Sequence, residues 1–322
     1  MKIFFRHPWR DASLPSLIYE EDNGRIAGCL GVMPRPMLLN GRLIRAAISH
    51  HFMVEPDSRS TLAGLRLAKA FLAGPQDLSV ADGGDASRKI WEGCGGTTSL
   101  LHSIHWTRLL RPTRYILSFL RRRGLPGAFA AILNPFCRLL DGLSRLIPQK
   151  PFRISKPAGL AGALDVETLL ACLTQFSSGR SLQPVYDHPS LKWLLEVLDR
   201  KEGRGSFQKA VVRNTAKEII GWYLYYLNPG GISEVVQIQA KPHDIHAVLD
   251  HLFYDAWRNG AAAVSGQLDP ALFHALSDNY CLFHHGDASW VLTHSRRPEL
   301  LQAIHNGDAF LTRLEGEWWI GF

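Results

Sequence analysis

Residues 54–64 read Val54-Glu55-Pro56-Asp57-Ser58-Arg59-Ser60-Thr61-Leu62-Ala63-Gly64. Before them, Leu43 to Val54 has the composition of a strand, and Pro56 ends it because proline has no N–H for a ladder. After them, Leu62, Leu65, Leu67, Ala68, Phe71 and Leu72 recur at helical spacing and predict a helix to Leu72. The stretch is therefore a strand-to-helix junction. Upstream, the strand-like Ser16–Glu21 and Arg25–Leu39 are separated by Asn23-Gly24, and Asn40-Gly41 precedes the third strand. Asn-Gly pairs between strands are the strongest short hairpin signal. Downstream, Asp77–Ala81 reads as a strand and Asp85–Cys94 as a short helix stopped by Gly95-Gly96. Ser99 to Leu109 reads as a last strand.

The second half runs in the same order. Strands are expected over Gln208–Arg213, Glu218–Leu227 and Ile232–Ala240, with a turn at Asn228-Pro229-Gly230-Gly231. A helix over His243–Arg258, a strand over Ala262–Leu268, a short helix from Asp269-Pro270, and strands over Cys281–His285 and Ser289–His294 complete it. Val166–Phe176 and Pro189–Arg200 are further helices. Two runs of meander, helix, strand, helix and strand predict the α/β class, with mixed (α+β) sheets.

A chain of 322 residues suggests two domains. Its 46% hydrophobic and 20% charged residues are those of globular proteins and argue against disordered or fibrous classes. Five scattered cysteines without a CxxC pair point to buried thiols in a reducing compartment. No apolar run reaches 18 residues, and the start, Met1 to Trp9, turns polar too soon for a signal peptide, so a cytoplasmic protein is expected. The net charge of +7 is concentrated. From Arg108 to Lys156 eleven Lys or Arg face one acid, Asp141, a balance of +10 that leaves −3 for the rest. Apolar residues at helical spacing accompany those charges, so 112–160 reads as a basic amphipathic helical linker. It is either packed on the domains or available as a peripheral membrane or protein contact. No nucleic-acid module is recognisable, and nucleic acid is not expected as a partner.

With the junction at 54–64, this order of elements resembles the GNAT (Gcn5-related N-acetyltransferase) superfamily, in two tandem copies. The family's loop, Arg/Gln-x-x-Gly-x-Gly/Ala at a helix N-terminus, presents backbone N–H groups to the pyrophosphate of acyl-CoA. It corresponds to Arg59-Ser60-Thr61-Leu62-Ala63-Gly64, with Leu62 in place of the middle glycine. The resemblance implies acetyl-CoA or another acyl-CoA as co-substrate, an amine acceptor, and cofactor contacts from Met53, Val54, Arg59, Ser60, Thr61, Leu62, Ala63 and Gly64. The tyrosine that protonates the leaving thiolate in the family corresponds to Trp91, which has no suitable proton. Domain one, 1–111, would be a copy incomplete at its N-terminus. The linker would be 112–160. Domain two, 161–322, would lack the loop, since Pro242-His243-Asp244-Ile245-His246-Ala247 has no glycine.

Amine acylation needs a base. His50, His51 and Glu55 lie on or just after the third strand, and strand alternation would put the two histidines on opposite faces, with His51 the preferred base. Glu55 and Asp82, beside the expected cofactor groove, are the other candidates for the catalytic set, against roles as a loop carboxylate and in a turn with Gly83-Gly84. His102-x-x-His105 and His243-x-x-His246 match no metal pattern, and no metal is expected. GxSxG, GxxxxGK[ST] and GxGxxG patterns are missing, which removes hydrolase, P-loop and Rossmann readings. Trp318-Trp319 and Phe322 read as a tail that docks on a domain. The activity expected from the resemblance is transfer of an acyl group from acyl-CoA to an amine. The alternative is a non-catalytic binding or scaffold protein of the same fold.

Overall fold

The structure is a computed structural model that describes residues 7–56, 62–122, 124, 136, 154–176, 179–285 and 289–316. It divides into two compact units. The first is Met1–Ile104, Ser177–Leu195 and His285–Phe322; the second is His105–Phe176 and Glu196–His284.

In the first unit, β1 (Leu17–Glu20), β2 (Ile26–Leu39) and β3 (Arg42–Val54) form an antiparallel meander. The β2–β3 hairpin closes at Asn40 and Gly41, both at positive φ (50° and 77°), as the turn type requires of an Asn-Gly pair. Helix α1 (Ala63–Leu72) then crosses over to β4 (Leu78–Gly83), which pairs with β3 in parallel. Helix α2 (Asp85–Gly93) and the short β5 (Thr97–Ser99) follow. Leu67, Ala68, Phe71 and Leu72 are the apolar stripe of α1. With Leu30, Val32, Ala47, Ala81, Trp91 and Leu292, most of that stripe forms one core on a single face of the sheet. A buried Leu or Phe contributes about 1.5–3 kcal/mol there, so Phe71→Ala would cost about 3–5 kcal/mol.

The sheet order is β1-β2-β3-β4-β14-β5, where β14 is Trp290–His294; β8 (Leu182–Pro184) lies outside this path, against β2. In the second unit β6 (Ile104–Leu109), β7 (Leu160–Ala163), β9 (Ser206–Arg213), β10 (Ile219–Leu227), β11 (Ile232–Ala240), β12 (Ala263–Gln267) and β13 (Leu282–His285) are ordered β13-β6-β12-β11-β10-β9-β7. There β9, β10 and β11 are the meander, α3 (Ile245–Arg258) follows, and β11 pairs with β12 in parallel. Residues Ile220 to Leu227 of β10 are all buried, so this strand is covered on both faces.

Three expectations need correction. The single strand over Ser99–Leu109 is broken: residues Leu100–Ser103 form a helical turn, held by the Ser103 hydroxyl donating to the Ser99 carbonyl (2.6 Å). Second, the strand after that turn does not close the first sheet. β6 lies in the second sheet beside β12, and β14, from the second half of the sequence, lies in the first between β4 and β5. Third, both units are discontinuous along the chain: positions 111 and 161 both fall within His105–Phe176 of the second unit, and 1–111 and 161–322 each hold parts of both units. A helix at Pro298–His305, with proline at its start, was not expected from the sequence. Of the basic linker at 112–160, a helix over Pro112–Arg122 is described and most of the rest lies outside the described residues, as does the tail Trp318-Trp319 with Phe322. Among the described residues no helix is long and apolar enough to cross a membrane.

Candidate functional site

β3 and β4 are paired only at Ala46↔Leu78, Ala47↔Ser79 and Ile48↔Val80. Beyond that point β3 continues to Val54 and β4 to Gly83, so two parallel strands part and leave a crevice at their carboxyl ends. On its other side β3 carries a bulge against β2. Cys29 pairs with Met53 but Gly31 with His50, so β3 carries one more residue than β2 over this interval, and His51 takes a left-handed backbone (φ 49°). Histidine is among the residues that tolerate this region best.

The bulge overturns the expected alternation of His50 and His51. Their rings meet edge to face, with centroids 5.3 Å apart and Nδ1 atoms 3.1 Å apart. His50 is buried and lies over Gly31, where any added Cβ would overlap its ring. Burial, then the charges of His51 and His7, pushes its pKa down to about 3, so His50 is neutral at physiological pH. His51 is half-buried, and its carbonyl accepts a weak bond from the Cys29 thiol (3.8 Å). The proton between the two Nδ1 atoms can sit on either ring. With it on His51, Nε2 of His51 is the basic atom.

The other candidates fall at separate places. Glu55 is exposed, its N–H donates to the Ala27 carbonyl (2.9 Å), and its carboxylate forms an ion pair with Arg25. Asp82 is half-buried on β4, against the Gly316 turn: a Cβ on Gly316 would stand 2.9 Å from its carboxylate. Met53 is exposed and Val54 half-buried at the end of β3. Arg59, Ser60 and Thr61 lie outside the described residues.

Helix α1 opens directly after that loop, with Leu62 at its N-cap position and no side chain capping it. Leu62 has ordinary backbone angles (φ −79°, ψ 14°) and an exposed side chain, so the position makes no demand that only glycine meets. Gly64 faces the sheet. A Cβ there would be 3.5–3.6 Å from Ile90, Phe52 and Val54, which is ordinary van der Waals contact, so packing does not require a glycine at this position. Trp91 is buried in the core, its indole N–H donates to the Thr293 carbonyl (3.0 Å), and its ring covers Gly96. That indole has no proton to give a thiolate.

Sequence reasoning set His50 aside by assuming an unbroken strand, and it did not single out Arg25 or Gly31. A histidine pair beside a glycine-bearing strand was the available signal. Among the described residues no three His, Cys, Asp or Glu side chains gather as a metal site.

No family model and no curated protein sequence matches the chain. Solved structures do. A conserved protein from Enterococcus faecalis V583, described as a probable N-acyltransferase, is 9% identical and superposes with a TM-score of 0.56 over 87% of this chain and 62% of its own. A GCN5-related N-acetyltransferase from Anabaena variabilis ATCC 29413 is 12% identical, with a TM-score of 0.53 over 85% of this chain and 61% of its own. The chain thus spans about three-fifths of the length of these proteins, and at such identities the likeness is one of fold. Two mixed sheets, each with a meander joined through a helix to a parallel strand, give this chain the fold of the GCN5-related N-acetyltransferases.

Proposed function

We propose that the chain is an N-acyltransferase that moves an acyl group, acetyl in the first instance, from acyl-CoA to an amine. The observation that carries this reading is the parting of β3 from β4 with the N-terminus of α1 beside it. Met53 and Val54, paired with β2 but not with β4, would run along the pantetheine arm. The N–H groups from Ser60 to Gly64, with Arg59, would face the pyrophosphate. The amine attacks the thioester carbonyl and passes its proton to His51 as the C–S bond breaks; the thiolate takes up a proton to leave as CoA thiol. The tandem reading is part of the proposal: two copies of the fold, each completed by a strand from the other half of the sequence. The second has no glycine loop and no cofactor of its own.

The test is calorimetric titration of the full chain with acetyl-CoA and longer acyl-CoAs, beside Arg59→Ala. Saturable binding weakened by the substitution is the expected result. No binding at millimolar acyl-CoA to folded protein overturns the reading. The buried Trp91 favours a second reading, a non-catalytic scaffold of the same fold. Acyl-CoA binding without turnover of any amine would select it.

A further inference from the structure

The helix Pro112–Arg122 follows β6 and is fixed at its start. The Arg111 guanidinium donates to the carbonyls of Ala261 (2.5 Å) and Trp257 (2.6 Å), and the Arg111 carbonyl accepts from the Tyr115 N–H (2.9 Å). Within the helix Leu117 is only 8% exposed, and Nε of Arg114 is buried. Ile116 and Leu120, one turn apart and so on one side of the helix, are 56% and 42% exposed. A surface helix ordinarily turns its apolar stripe to the core and its charges to water. Here two large apolar side chains stand in water while part of an arginine is covered. Such a pair leaves apolar area that a covering surface would remove from water.

Charge distinguishes the surfaces that could cover it. The helix carries Arg114, Arg121 and Arg122 and no acid, within the Arg108–Lys156 stretch where eleven Lys or Arg stand against Asp141. Two such stretches repel, so a second copy of the chain is a poor cover. A nucleic acid would answer the charge but not the apolar pair. An anionic lipid surface answers both: its headgroups attract basic residues and its acyl boundary accepts apolar ones. The helix has 11 residues and extends about 16 Å, roughly half of a bilayer's hydrocarbon core, so it suits lying on a membrane rather than crossing one.

We infer that the helix face carrying Ile116 and Leu120 docks on an anionic phospholipid surface. The two side chains enter the boundary between headgroups and acyl chains, and the basic charge of the stretch holds them there. Arg111, bonded to the carbonyls of Trp257 and Ala261, ties the docked helix to the second unit. The inference stands independently of the acyl-transfer reading.

The experiment is sedimentation of the full chain with sucrose-loaded vesicles, either of phosphatidylcholine alone or with about one-third phosphatidylglycerol. Binding is expected to the second kind and not to the first. It should weaken at least tenfold from about 0.1 M to about 0.5 M NaCl, as the Debye length shortens. Ile116→Asp with Leu120→Asp should also lower binding at least tenfold. Both positions are exposed, so the variant is expected to fold, and circular dichroism checks this. Ile18→Asp with Leu43→Asp makes the same charge change at exposed apolar positions of the first unit and should leave binding nearly unchanged. Any one of the following overturns the inference: no binding to the anionic vesicles, equal binding to the neutral ones, unchanged binding in the first pair, an equal loss in the second pair, or light scattering that shows a dimer dissociated by the first pair.

Discussion

The Nδ1 atoms of His50 and His51 lie 3.1 Å apart although the two residues are consecutive on a strand. The left-handed backbone at His51 turns what would be opposite faces into one contact. It joins a buried imidazole, neutral at physiological pH, to a half-buried one near the end of β3.

If His51 is the base, His51→Gln should lower kcat/KM for amine acylation by about 10²-fold or more, the scale of a lost general base. Glu55→Gln should change it by no more than a few-fold, because Glu55 is paired with Arg25 on the surface. Steady-state kinetics on both variants make the comparison; equal losses would remove His51 from the role.

Stability should depend on pH through His50. Its pKa is lowered from 6.5 to about 3, so between those values the unfolded chain binds a proton that the folded chain does not. The contribution is fully present above pH 6.5 and is lost as pH falls toward 3, with about 2 kcal/mol gone between pH 7 and pH 5. Urea unfolding at the two pH values should show this difference in the parent and a smaller one in His50→Gln.

Gly31→Ala places a Cβ in the His50 ring and should destabilise the first unit by about 1–3 kcal/mol. Gly31→Ala combined with His50→Ala should recover part of that loss. A double-mutant cycle by urea unfolding reads the coupling, and strict additivity would deny the contact.

Trp91→Phe removes the bond to the Thr293 carbonyl inside the core and should cost about 1–3 kcal/mol. Acylation per folded molecule should be unaffected, since the indole donates no proton to the reaction. A thermal melt and an activity assay on the same sample separate the two effects.

Most of each sheet was legible because its signals are local. Asn40-Gly41 and Asn228-Pro229-Gly230-Gly231 mark turns by their own backbone needs, and β11 was read with its observed ends. Helix α1 followed from Leu67, Phe71 and Leu72 on one face. The site was less legible. A bulge at His51 has no composition of its own, and alternation therefore misassigned the pair. Gly64 matched a phosphate-loop pattern; that its neighbours Phe52, Val54 and Ile90 leave room for a Cβ, so that packing alone does not demand the glycine, is something only the fold reveals. The placement of β6 and β14 was hidden for the same reason: which strand fills a sheet depends on distant partners, whereas patterning reports only that a strand exists.

That placement bears on how the protein is made. Asp82 on β4 pairs with Val291 on β14, so the first sheet cannot close when its own first hundred residues leave the ribosome. At about 5–20 residues per second, β4 and β5 wait roughly 10–40 s for the strand between them. During synthesis two unpaired edges are open to a neighbouring nascent chain, and a cut between the halves would leave both with an open edge.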